Sequence, residues 1–231
     1  MRSLVRRIGK WYWPKTDGGS VGFHHPNSTW SYMQQHPDIP KRISDHISDP
    51  LRIHHHLGVN KNIVVQAGGN CGFYVKQYAQ LFRMVYTFEP EPLNFFCLNL
   101  NVTEKNVIKF QAVLGDKHEL VSLNNFLNDS GSTHVKNGPG EQSVVPTMLI
   151  DDLNLPGCDL IHLDVEGYEL FALRGAIETI KRFKPVIAYE NPEVWSSRYG
   201  YNKNTIDDFV VSLGYGLKCE EQGDMIFIYG A

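Results

Sequence analysis

Four short clusters in this 231-residue chain carry side chains able to do chemistry together. The first is Gln66-Ala67-Gly68-Gly69-Asn70-Cys71-Gly72. A glycine-rich turn of this kind lets the backbone approach a ligand closely and leads into the free amides of a helix start. The second is Glu89, roughly 20 residues downstream, where an acid suits the two hydroxyls of a ribose. The third is Asp164-Val165-Glu166-Gly167 and the fourth is Glu190-Asn191. Carboxylates there suit the removal of a proton from an acceptor. Asp164, Glu190 and Asn191 also make an oxygen donor set for Mg²⁺.

These clusters need a scaffold that brings them to one edge, and the hydrophobic pattern supplies it. Short apolar runs at 63–66, 85–88, 107–113, 160–164 and 185–189 predict strands. Helical spacing at 73–82, 92–101, 168–183 and 206–213 alternates with them, and the chain closes on a hairpin, 215–219 with 225–229. The alternation predicts an α/β fold: a Rossmann-like, doubly wound, mostly parallel sheet of seven strands with a C-terminal antiparallel hairpin. Residues 120–123 are expected to pair outside that sheet, 147–153 to form a short helix, and 128–142 to form a long loop. All four clusters then follow strand ends, at the edge where open parallel sheets bind ligands.

Residues 1–58 read as a loop-rich N-terminal extension with one short helix near 41–56, and 59–231 as the ligand-binding domain. The extension holds Trp11, Trp13 and Trp30, expected to pack onto the core. His24, His25, His54, His55 and His56 read as solvated loop residues, and His162 as a core histidine turned away from Asp164.

The composition narrows the class. With 42% hydrophobic and 20% charged residues and a net charge of −3, the chain suits one sizeable domain. It has no global positive field for nucleic acid or an anionic membrane. No apolar run of spanning length occurs, and the basic residues near the start precede no signal-type apolar stretch. Cys71, Cys97, Cys158 and Cys219 lie far apart without zinc-ligand spacing. They read as free thiols of a reducing compartment, which gives a cytoplasmic expectation. Oligomeric state is not legible.

A glycine turn followed by an acid fits either a dinucleotide or S-adenosylmethionine. The dinucleotide pattern G-x-G-x-x-G fails, since Asn70 and Phe73 stand where its second and third glycines belong, and no phosphate-binding GxxxxGK[ST] loop exists.

Three longer segments make the resemblance specific: Val65-Gln66-Ala67-Gly68-Gly69-Asn70-Cys71-Gly72-Phe73-Tyr74, Val85-Tyr86-Thr87-Phe88-Glu89-Pro90-Glu91-Pro92, and Ile161-His162-Leu163-Asp164-Val165-Glu166-Gly167-Tyr168-Glu169-Leu170. In order and spacing the chain resembles the FkbM family of S-adenosylmethionine-dependent methyltransferases over about residues 62–191. The resemblance implies that Gly68, Asn70 and Gly72 shape the methionine pocket, that Glu89 holds the ribose, and that Gln111 and Ala112 sit by the adenine. Gly69, Phe73, Pro90 and Asp164 complete the implied cofactor set. It further implies methyl transfer, usually to oxygen, on a hydroxyl-bearing small molecule or sugar, with Asp164, Glu166 and Glu190 as candidate catalytic residues. One position departs from the family. Gln66 stands where an acid usually meets the cofactor's ammonium group, and glutamine can accept a hydrogen bond there but adds no charge. Two other readings stay open: a non-catalytic protein that keeps the cofactor fold, and a nicotinamide-dependent oxidoreductase.

Overall fold

The computed structural model describes residues 1–16, 28–55, 58–124, 130–136, 143–190 and 193–231. The chain opens with an antiparallel hairpin, β1 (Val5–Ile8) and β2 (Trp11–Pro14), followed by helices α1 (Thr29–Gln35), α2 (Ile39–Asp45) and α3 (Pro50–His54). The alternating part follows: β3 (Ile63–Ala67), α4 (Phe73–Leu81), β4 (Met84–Phe88), α5 (Pro92–Asn101) and β5 (Val107–Phe110). Next come β6 (Val113–Leu114), β7 (Leu120–Asn124), β8 (His134–Val135) and β9 (Val144–Met148). The last part runs through β10 (Leu160–Leu163), α6 (Glu169–Arg174), α7 (Ile177–Phe183), β11 (Val186–Glu190), α8 (Glu193–Ser196), α9 (Lys203–Ser212), β12 (Tyr215–Glu221) and β13 (Asp224–Tyr229).

Seven strands form the central sheet in the order β12-β13-β11-β10-β3-β4-β5. The five from β5 to β11 run parallel, and β13 pairs antiparallel with both β11 and β12. This is the expected Rossmann-like sheet with its terminal hairpin. The order reverses between β3 and β10, which opens a crevice beyond their carboxyl ends. Every residue of β3 and β10 is buried, as parallel strands covered on both faces must be. Local signals start the covering helices. Gly72, at φ +91°, turns the chain into α4, and Pro92 occupies the first turn of α5. The Glu91 carboxylate caps α5 by accepting from the Asn94 amide at 2.6 Å.

Five expectations need correction. The long loop expected over 128–142 contains β8, and its residues 128–129 and 137–142 lie outside the described residues. Residues 107–113 are not one strand: β5 ends at Phe110, and Val113–Leu114 leaves for a second sheet ordered β6-β9-β7-β8. Residues 147–153 are not a helix. Thr147 and Met148 belong to β9, whose Val-Val-Pro-Thr-Met run pairs with β6 and β7, and only Asp151–Leu153 makes a 3₁₀ turn. The single helix expected over 168–183 is two, broken at Gly175, where a β-carbon would lie 2.0 Å from the Gly115 carbonyl oxygen. Finally, the N-terminal region holds a hairpin and three helices rather than loops around one. Residues 120–123 do pair outside the central sheet, as expected.

Trp13, Trp30, Ile43 and Ile47 pack in the same buried cluster as Val64, Val75 and Val85. Burying an isoleucine stabilises by roughly 1.5–3 kcal/mol, so the N-terminal residues are part of the core that holds the sheet. Of the five histidines expected in loops, His54 instead ends α3, His55 is exposed beside the ring of Tyr229, and His24, His25 and His56 lie outside the described residues. No helix among the described residues is long and apolar enough to cross a membrane.

Candidate active site

The β3–α4 turn is built on close approach. Gly68 (φ +82°) follows β3, and the amides of Gly68 and Gly69 both donate to the Phe88 carbonyl, at 3.1 and 2.9 Å. A β-carbon on Gly68 would lie 2.0 Å from the Asp164 carbonyl oxygen, and one on Gly69 would lie 2.7 Å from Thr87 Oγ1. At Gly72 it would meet Val102 and Leu98, at 2.4 and 2.8 Å. Only glycine lets β3, β4, β10 and α5 converge here.

Glu89 follows β4 and is buried. Its Oε2 accepts from the Asn70 amide at 2.6 Å and its Oε1 from the Glu91 amide at 2.8 Å. Burial outweighs these bonds and pushes its carboxyl up to about 8. Asn70 and Asn94 each donate a side-chain N–H to the Ser130 carbonyl, at 2.8 and 2.7 Å, drawing that loop over the turn.

Across the switch point stand three acids. One carboxylate oxygen from each of Asp164, Glu166 and Glu190 lies within 4.8 Å of the others. Glu166 reaches them through a left-handed backbone, φ +56°, held by Glu169 Oε1, which accepts from the amides of Val165 and Gly167 at 3.1 and 3.2 Å. Burial pushes both the Asp164 and Glu190 carboxyls up, helped at Asp164 by the charge of Asp224 and at Glu190 by the charge of Asp164, while a hydrogen bond with Glu190 favours the charged form of Asp164. The two carboxyls therefore titrate as a pair. Asp224, paired with Glu190 in the β11–β13 register, adds to the repulsion on both.

A cavity of about 410 Å³ joins these parts. Gly68, Gly69 and Asn70 line it with Glu89 and Pro90, with Ala112 among apolar neighbours such as Phe88 and Leu114, and with Asp164, Glu166 and Glu190. The N-terminal region contributes Ser28, Thr29, Tyr32 and Met33 of α1 and its cap. Tyr74, 8% exposed, also lines the cavity, and its hydroxyl has no hydrogen-bond partner among the described residues.

Other expected cofactor residues stand off the cavity wall. Gln66 is buried: its Oε1 accepts from Thr87 Oγ1 at 2.6 Å and its Nε2 donates to the Ala67 carbonyl at 3.0 Å. Phe73 packs on Trp11, Gly72 stands at the start of α4, and Gln111 is exposed. Asn191 lies outside the described residues, and Glu166 stands beside Asp164 and Glu190. His162 is a core histidine, 1% exposed, but it does not point away from Asp164. Side chains repeat every two residues along a strand, so 162 and 164 share a side. His162 Nδ1 meets the Tyr78 hydroxyl at 2.8 Å, Nε2 lies 3.5 Å from Asp224, and the ring favours the charged form of Asp164. Tyr32, Tyr74 and Asp224 are not among the site residues expected from the sequence. Tyr74 alone carried a signal, one residue beyond the glycine cluster. The other two arrive through α1 and through the hairpin register.

Comparison with known proteins decides the family. The methyltransferase FkbM domain matches residues 56–217, more than half of the chain. The chain belongs to the FkbM methyltransferase family. Among solved structures, this FkbM-family chain is similar to the methyltransferase FkbM of Methylobacillus flagellatus KT. Identity is 15% and the TM-score 0.52, over 87% of this chain and 61% of that one, so this chain spans about three fifths of that protein. It also resembles a SAM-dependent methyltransferase of Aquifex aeolicus, with 15% identity and a TM-score of 0.41, over 82% of this chain and 97% of that one. At 15% identity the likeness to the Methylobacillus structure is one of fold. No curated protein matches.

Proposed function

We propose that this FkbM-family chain transfers the methyl group of S-adenosylmethionine to a hydroxyl oxygen of a small-molecule or sugar acceptor. The observation that carries the reading is that one cavity is lined both by the glycine turn with Glu89 and by Asp164, Glu166 and Glu190. The residues present suit the cofactor. Apolar groups around Ala112 offer a face for the adenine, and Glu89 offers carboxylate oxygens for the ribose hydroxyls. The three clustered acids favour the positive ammonium and sulfonium groups, supplying the charge that Gln66 lacks.

When bound, the cofactor supplies an activated methyl group for an in-line displacement. The protein's part is to align the acceptor and to take up its proton. Asp164 suits that second task. Its carboxyl is pushed by burial and by Asp224 to about 6, near the value at which a base works best at neutral pH. The hydrogen bond with Glu190 favours the ionised form of Asp164. Tyr32 and Tyr74 also feel the charge of Asp164, so both hydroxyls stand where an acceptor would be oriented. A hard cation on Asp164, Glu166 and Glu190 is a second reading, favoured by their 4.8 Å clustering.

The test is methyl transfer from labelled S-adenosylmethionine to a library of alcohols, phenols, sugars and amines. Label on oxygen, with S-adenosylhomocysteine formed in equal amount, is expected. Transfer confined to nitrogen acceptors would overturn the oxygen assignment.

A further inference from the structure

Far from the cavity in sequence, three ligand-type side chains meet where the N-terminal region crosses the edge strand of the central sheet. Cys219 and Glu221 are two residues apart on β12, so both face the same way. Opposite them, His46 opens the 3₁₀ turn His46–Ser48 that follows α2. One ligand atom from each of the three lies within 4.8 Å of the others, and all three residues are half-buried. We propose that His46, Cys219 and Glu221 form a zinc site that staples the N-terminal region to β12, with water completing the tetrahedron.

The spacing argues for this ion. Zinc bonds sulfur at about 2.3 Å and imidazole nitrogen at about 2.0–2.1 Å, so a tetrahedral centre sets those atoms about 3.5 Å apart. Cys219 Sγ and His46 Nε2 are 3.5 Å apart. His46 Nε2 lies 3.8 Å from Glu221 Oε1, so a zinc-bound carboxylate would move in by about 0.4 Å. The surrounding charges leave room for the ion. Arg42 holds the other oxygen of Glu221, Oε2, at 3.3 Å, and Lys218 is bound to Asp49 at 2.7 Å. The β12–β13 register shifts between Leu217 and Cys219, an irregularity of the kind that re-aims side chains near sites.

His46 and Cys219 are 173 positions apart, which is why no sequence spacing announces the site. Uptake replaces the Cys219 thiol proton by Zn²⁺ and releases that proton to solvent. The link would brace α2 and the turn beside it, on the N-terminal region whose α1 lines the cavity.

Two measurements on the full chain, first stripped with a chelator, test the site. Co²⁺ should bind one equivalent and give a thiolate-to-cobalt charge-transfer band with tetrahedral ligand-field intensity. The acid cluster at the cavity holds no thiol and cannot produce that band. Cys219→Ser and His46→Ala should abolish it. The second measurement uses the unmutated protein. Cys71, Cys97 and Cys158 are buried, so alkylation of the folded chain reads Cys219. Zn²⁺ at about 100 times its dissociation constant should slow that alkylation roughly 100-fold, because the unliganded fraction falls by that factor. Alkylation unaffected by Zn²⁺, or a charge-transfer band that survives Cys219→Ser, would overturn the proposal.

Discussion

A β-carbon on Gly68 would sit 2.0 Å from the carbonyl oxygen of Asp164, so the turn after β3 and the acid after β10 are in backbone contact at the switch point. The Asp164 amide donates to the Ala67 carbonyl at 3.1 Å and closes the same junction. The glycine therefore serves strand packing before it serves any ligand. Gly68→Val should cost the fold itself, by several kcal/mol, in the class of severe backbone and overpacking defects. Urea unfolding would show a lower midpoint. A variant as stable as the parent would mean that this junction relaxes freely.

Asp164→Asn keeps the size of the side chain and removes its charge. We expect methyl transfer to fall about 10²–10⁴-fold, the usual loss for a positioned base, and S-adenosylhomocysteine affinity to fall by much less, since Glu166 and Glu190 still face the ammonium group. EDTA separates the two roles of the acid cluster. Inhibition reversed by Mg²⁺ assigns the carboxylates to a cation, and indifference assigns Asp164 to proton removal. Full turnover in the variant would take Asp164 out of the chemistry.

The Tyr74 hydroxyl is buried on the cavity wall without a partner among the described residues. A buried hydroxyl left unsatisfied costs about 1–3 kcal/mol. Tyr74→Phe should therefore raise the thermal midpoint of the ligand-free protein while slowing methyl transfer, the exchange expected of a group kept for function. A lower midpoint together with unchanged turnover would assign the hydroxyl to structure.

Stability should fall as pH rises. Burial lifts Glu89 to about 8 and Glu169 to about 7, both above their unfolded value of 4.5. The folded state thus binds more protons than the unfolded state through this range. Its contribution is whole below pH 4.5 and is lost as pH climbs through 7 and 8. Each proton held only by the folded state gives a slope of about 1.4 kcal/mol per pH unit. Chemical unfolding of the ligand-free protein at pH 5.5 and 8.5 checks the sign, and greater stability at the higher pH would contradict these environments.

The sheet was legible because its signals are local. Ile63-Val64-Val65 and Leu160-Ile161 are apolar on both faces, and the glycine turn with Glu89 follows at a fixed distance. What could not be read depends on register or close contact. Asp224 faces Glu190 only through hairpin pairing, and Tyr32 reaches the cavity only through the placement of α1. Gly175 breaks a helical pattern because of a neighbouring carbonyl that periodicity does not see. Trp11-Tyr12-Trp13 is too short to show a strand period, so the N-terminal hairpin went unpredicted.

The most direct test is calorimetry with S-adenosylhomocysteine on the parent chain and on Glu89→Ala. Saturable binding at one site is expected, with NAD⁺ silent in the same cell. Losing the carboxyl group should weaken binding by about 2–3 kcal/mol, roughly 30–150-fold, as befits two buried hydrogen bonds to the ribose. Absence of S-adenosylhomocysteine binding in a folded parent chain, or equal affinity in parent and variant, would contradict the placement of the cofactor in this cavity.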